Sequence, residues 1–205
     1  MPRVKVARKS TAIDMTAMCD VAFLLLTFFI LTAKPKVEDP SKAEVPPSIK
    51  MMPVGDVNMC TLSIGHGHVF YSVTEDDVRQ EALKEMGAKY NVSFTPEEIN
   101  RFKLTQVFGV PMSQLKSFLD MSSEDLKHYT QPGIPADTTN NSELSNWVLL
   151  SRKANVALHG KDLDFSIKGD KNEEYPTIDM VIGILEKQKK FKFNLITTLR
   201  TVPKK

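Results

Sequence analysis

The chain has 205 residues, of which 41% are hydrophobic and 25% charged, with a formal net charge of +2. That composition is ordinary for a folded domain. The charge balance gives no argument for a nucleic-acid partner, which would need a clustered basic face. The two cysteines do not suggest a disulfide framework: Cys19 falls in an apolar stretch and Cys60 in an expected strand, and both read as small apolar fillers.

In chain order, residues 1–12 form a basic tail with Arg3, Lys5, Arg8 and Lys9 and no acid among them. Residues 13–33 follow as IDMTAMCDVAFLLLTFFILTA. At ~1.5 Å per residue this stretch spans ~30 Å, about the hydrocarbon thickness of a bilayer. It reads as a transmembrane helix, with the tail cytoplasmic and the rest on the far side by the positive-inside rule. A cleaved signal peptide would share the basic start and apolar middle. Asp20 interrupts the apolar run, however, and Leu31-Thr32-Ala33 is a poor cleavage site.

Asp20 is the most informative residue. A carboxylate near the middle of a membrane helix costs at least ~2.5 kcal/mol to insert and marks an ion or proton path by default. Thr27 lies seven residues on, about 20° short of two turns, and Thr16 four residues before, about 40° from alignment. Thr16, Asp20 and Thr27 therefore form a polar stripe on an otherwise apolar helix. Two readings stay open: a stripe lined by water or protons, or threonine hydroxyls bonded to carbonyls of the preceding turn. Asp14, about 120° around from Asp20, reads as an interfacial residue or as an acid favourable to the helix dipole.

Residues 34–56 carry Pro35, Pro40, Pro46, Pro47 and Pro53 in a polar setting. That density forbids a helix and predicts an extended linker. Its backbone is open to pairing as an added strand, with a transducer or with a twin chain, around Val45, Ile49, Val54 and Val57. The folded part is expected over 57–205. Cys60, Leu62 and Ile64 alternate with Met59, Thr61 and Ser63, which predicts a half-buried strand. Gly65-His66-Gly67-His68 reads as a turn and Val69-Phe70-Tyr71 as the returning strand. His66 and His68 with Cys60 do not make a metal site, which needs three or four ligands.

Helices are expected from Thr74, with Asp77 three residues on, and from Thr95, where Pro96 and Glu98 complete a capping box. Further helices are expected over Met112–Leu119, Ser122–Tyr129 and Glu143–Arg152, the last with Trp147 in the core. Leu163, Phe165 and Ile167 predict a strand, Thr177–Lys187 an amphipathic helix, and Phe193–Thr198 a last strand. A strand, helix, strand run of this length fits parallel strands joined by a crossover. Asp170 and Tyr175 are weak candidates, explained equally well by a turn and by half-burial. No hydrolytic constellation and no phosphate-binding glycine loop is evident, so no catalytic residues, metal or cofactor are expected.

The run Asp14-Met15-Thr16-Ala17-Met18-Cys19-Asp20-Val21 followed by Ala22-Phe23-Leu24-Leu25-Leu26 resembles the membrane signature of the ExbD/TolR family, N-x-T-P-L-I-D-V before an apolar run. Ile167-Lys168-Gly169-Asp170, Tyr175-Pro176, Val181 to Leu185 and Phe193-Asn194-Leu195-Ile196-Thr197 also resemble that family's periplasmic domain. Two features depart from it. Ala17 stands where the family has Pro, and residues 74–133 exceed the compact family domain, as in ExbD-like proteins of the Bacteroidetes type. The resemblance implies an α+β architecture: one N-terminal transmembrane helix, a Pro-rich linker, and a small periplasmic domain with a mixed sheet and helices on one face. Residues 74–133 would be an inserted helical lobe.

The resemblance further implies a proton-driven motor subunit of the bacterial inner membrane, with protons as the coupling ion. The aspartate matching Asp20 would carry them, inside a ring of ExbB/TolQ-like polytopic partners, and motion would pass to a TonB-like transducer. A homodimer is expected, since a lone polar stripe needs company in lipid. The alternatives are a Tol-type envelope-maintenance motor and a passively tethered periplasmic binding module. A flagellar-type stator would need a peptidoglycan-binding domain whose usual pattern is lacking here.

Overall fold

The computed structural model describes residues 15–33, 39–41, 43–48, 55, 57–137, 139 and 141–199. The chain divides into two compact units, Met1–Val37 and Glu38–Lys205. The first contains helix α1, Met15–Thr32. The second is α+β, with six further helices among the described residues.

The sheet of the second unit starts with β1, Pro47–Ser48, which stands apart, and then β2, Met59–Gly65, and β3, His68–Val73. β2 and β3 are antiparallel, with Gly65 opposite His68. The two residues between them, His66 and Gly67, have φ of 54° and 75°. Positive φ at both positions matches the right-handed strand twist and closes the expected hairpin.

Helix α2, Asp76–Tyr90, begins later than the Thr74 cap predicts. Glu75 is the N-cap and makes no side-chain capping bond. The Thr74 hydroxyl is used elsewhere, donating to the Met59 carbonyl at 3.3 Å. Helix α3, Pro96–Leu104, has the full Thr95–Glu98 capping box and Pro at its first turn, as expected. A short strand β4, Val107–Phe108, then helices α4, Met112–Asp120, and α5, Ser123–His128, follow. Helix α6, Glu143–His159, runs past the expected end at Arg152, because buried Ala154 and Asn155 continue its inner face. It stops at Gly160, whose φ of 67° suits the left-handed cap.

Strand β5, Asp164–Gly169, helix α7, Tyr175–Lys187, and strand β6, Asn194–Leu195, complete the core. β5 runs parallel to β2, and β6 parallel to β5, giving the mixed order β4-β3-β2-β5-β6. The single last strand expected over Phe193–Thr198 divides in two. After β6 the Ile196 amide still reaches the Ile167 carbonyl at 2.9 Å, and then β7, Thr198–Leu199, pairs in parallel with β1 instead. Pro47 has no amide to donate; the Thr198 amide donates to the Pro46 carbonyl at 3.0 Å.

One sheet face carries Cys60, Leu62, Ile64, Tyr71, Phe165 and Ile167, all buried in the main apolar core. The helices between β3 and β5 contribute to that same core rather than to a separate lobe. Phe102 and Phe108 pack around Trp147 with ring centroids 5.8 and 5.0 Å away, and Tyr71 lies 6.1 Å from Trp147. The opposite sheet face was expected to be open. Instead Met59, Ser63, Phe70 and Ser166 are buried there as well. Gly109 meets the Phe70 ring so closely that a β-carbon would fall 2.3 Å from it.

Candidate functional site

Helix α1 is continuous from Met15 to Thr32, with none of its residues buried. It is long and apolar enough to cross a membrane. A helix apolar on all but one narrow line is the pattern of a span rather than of an amphipathic surface helix. Its regular turn places Thr16, Asp20 and Thr27 on one stripe about 16 Å long. Asp20 sits about 5 Å from the helix midpoint, toward its N-terminus. The Thr27 hydroxyl donates to the Leu24 carbonyl at 2.9 Å, and the Thr32 hydroxyl to the Phe28 carbonyl at 2.8 Å. The Thr27 proton is therefore committed within the helix, while its lone pairs remain on the stripe. Asp20 is exposed, and it is the one ionisable carboxylate of α1. Asp14 lies outside the described residues.

The linker candidates fall differently. Val45 offers its carbonyl to the Thr198 hydroxyl at 3.3 Å, so this stretch pairs within its own chain. Val57 is 67% exposed at the foot of β2. Ile49 and Val54 lie outside the described residues. The extended tether expected over 34–56 is thus partly docked: residues 39–41 and 43–48 belong with the second unit.

The contacts that dock them were not visible in the sequence. Lys168 donates to Asp39 and Lys171 to Glu44. The Glu44 amide donates to the Asp170 carboxylate at 3.1 Å, and the Lys171 amide to the Glu44 carbonyl at 2.8 Å. Partial burial pushes the Asp39 carboxyl up, but the hydrogen bonds from Lys168 and Ser41 outweigh it and hold the group below its usual range. Asp170 is held low by the Asn172 and Glu44 amides. Glu44 raises the Lys171 ammonium.

Of the weaker candidates, Trp147 is core and Tyr175 is 70% exposed at the start of α7. Cys60 is fully buried, and burial pushes its thiol up to about 12. Such a thiol is inert rather than nucleophilic. Among the described residues no cluster of His, Cys, Asp or Glu is arranged to hold a metal.

One apolar helix long enough to span a bilayer, followed by a mixed-sheet α+β unit, fits a membrane-anchored protein. The chain belongs to the ExbD/TolR family: the family described as biopolymer transport protein ExbD/TolR matches residues 7–199. That match takes in α1 as well as the whole sheet, so the apolar helix is part of the shared architecture. Membership makes the chain a membrane-anchored subunit of a biopolymer transport machine, in a family of transport proteins rather than enzymes. No curated protein and no solved structure matches the chain significantly.

Proposed function

We propose that the chain is the proton-carrying subunit of a motor in the bacterial inner membrane, with its N-terminus cytoplasmic and its folded unit periplasmic. Its partners in this reading are an ExbB/TolQ-like ring, a second copy of the chain, and a TonB-like transducer of outer-membrane nutrient import. The observation that carries the reading is a lone carboxylate, Asp20, on an otherwise apolar helix inside the matched family region. In this cycle a carboxylate shielded from hydrocarbon by protein neighbours takes a proton from one side of the membrane and releases it to the other. Each transfer supplies ~2.3 kcal/mol per 100 mV, enough to bias a helix rotation or tilt but too little for one large mechanical step. Repeated turnover is therefore expected.

Replacing Asp20 with Asn keeps the size and removes the titration. Asp20→Asn should insert and assemble normally while energy-dependent transport, measured as uptake in cells, falls to background. Undiminished uptake would sink the proposal. The passive-anchor reading has one observation in its favour, the Thr27 hydroxyl satisfied by its own helix. It requires that a poly-Leu span restore full function. The motor reading requires that this exchange abolish it.

A further inference from the structure

We propose that the sheet face opposite the main core, around Gly65 and Lys168, is a docking surface for an extended segment carrying Asp39 and Glu44, that residues 39–41 and 43–48 of the same chain occupy it as a strap, and that the strap leaves without unfolding the domain. The inference concerns the folded unit alone and holds whatever Asp20 does.

Three independent features build this surface. The first is a pair of acid–lysine clasps, Asp39 with Lys168 and Glu44 with Lys171. Lys168 lies at the end of β5 and Lys171 two residues beyond it. The second is a floor without a side chain. A β-carbon on Gly65 would lie 2.7 Å from the Ser41 carbonyl oxygen, so glycine is what lets the strap lie down here. Gly65 has no left-handed φ, so its smallness serves the strap and not the turn. The third is a ladder of two residues, β1 on β7. Ser41, within the strap, is 2% exposed.

The same features show why the strap can leave. It contributes no residue to the apolar core. Glu44 is 71% exposed and Asp39 half-buried at 31%, so neither clasp is sealed from solvent. Exposed ion pairs are individually weak and screened by salt. A two-residue ladder adds little more.

Release bares Lys168, Lys171 and the β7 edge, which the docked strap covers.

Cysteine labelling of the full chain in lipid nanodiscs tests this. Ser41→Cys in a Cys19→Ser background reports the strap. Native Cys60, fully buried, reports the core. Maleimide labelling at position 41 should be slow in low salt. It should speed up about tenfold with Lys168→Gln and Lys171→Gln together, and also in 1 M salt. Gly65→Ala, which wedges the floor without touching a charge, should accelerate it too. Cys60 should stay unlabelled throughout. Labelling at 41 as fast as an unstructured thiol before any change would show that the strap is not docked. Labelling at 41 only in step with Cys60 would make it a permanent part of the fold. Slow labelling indifferent to all three changes would remove the clasps and floor as its cause.

Discussion

Asp162 sits in the turn between α6 and β5, where two cations converge on it. Arg152 donates from α6 at 2.8 and 3.0 Å, and the Lys190 ammonium beyond α7 lies 2.7 Å away. Partial burial pushes the carboxyl up, but the hydrogen bonds from Arg152 and Lys190 prevail and hold it at about 2, against an ordinary 3.8. A depressed carboxylate stabilises the fold above its unfolded value and loses that contribution as pH falls through its folded value. Asp162→Asn should therefore lower stability at pH 7, by about 1 kcal/mol once solvent screening is allowed for. The gap to the parent should shrink as pH falls from 3.8 toward 2. Urea midpoints taken across that range check it, and a gap independent of pH would assign the loss to packing instead.

Among elements, α2 and α3 separate what a local pattern can tell from what it cannot. The α3 start was legible because a capping box needs only residues three apart, and Thr95, Pro96 and Glu98 satisfy it with no help from the rest of the fold. Thr74 offers the same spacing to Asp77, yet its hydroxyl is drawn to the Met59 carbonyl across the hairpin, a competitor that no window around Thr74 reveals. Thr95→Ala should cost about 1 kcal/mol, read as a lower urea midpoint with unchanged slope. Thr74→Ala should leave α2 capped as before and weaken only the strand end. The strap was illegible for the same reason on a larger scale. Its partners lie 126 to 129 residues away, and a proline-rich polar stretch reads as a tether wherever it comes to rest. The polar stripe of α1 needed only the helical turn, which is why Asp20 stood out at once.

For the folded unit as a whole, the extra residues between β3 and β5 pose the sharpest question. The family resemblance implied an inserted lobe here, and a lobe would unfold by itself. The aromatic cluster argues otherwise. Phe102 from α3 and Phe108 from β4 enclose Trp147 from α6, and Tyr71 of the central hairpin closes the group. Strand β4 also extends the sheet beside β3. Removing a ring from this cluster takes contacts from both halves at once, so the two cannot melt apart. Trp147 is the only tryptophan, and its emission reports this junction. Phe102→Ala should destabilise the unit by about 3–5 kcal/mol. Trp147 fluorescence and far-UV circular dichroism should shift together to one lower midpoint. A helical transition that precedes the fluorescence change would show a lobe that folds alone, and would return residues 74–133 to the status of an appendage.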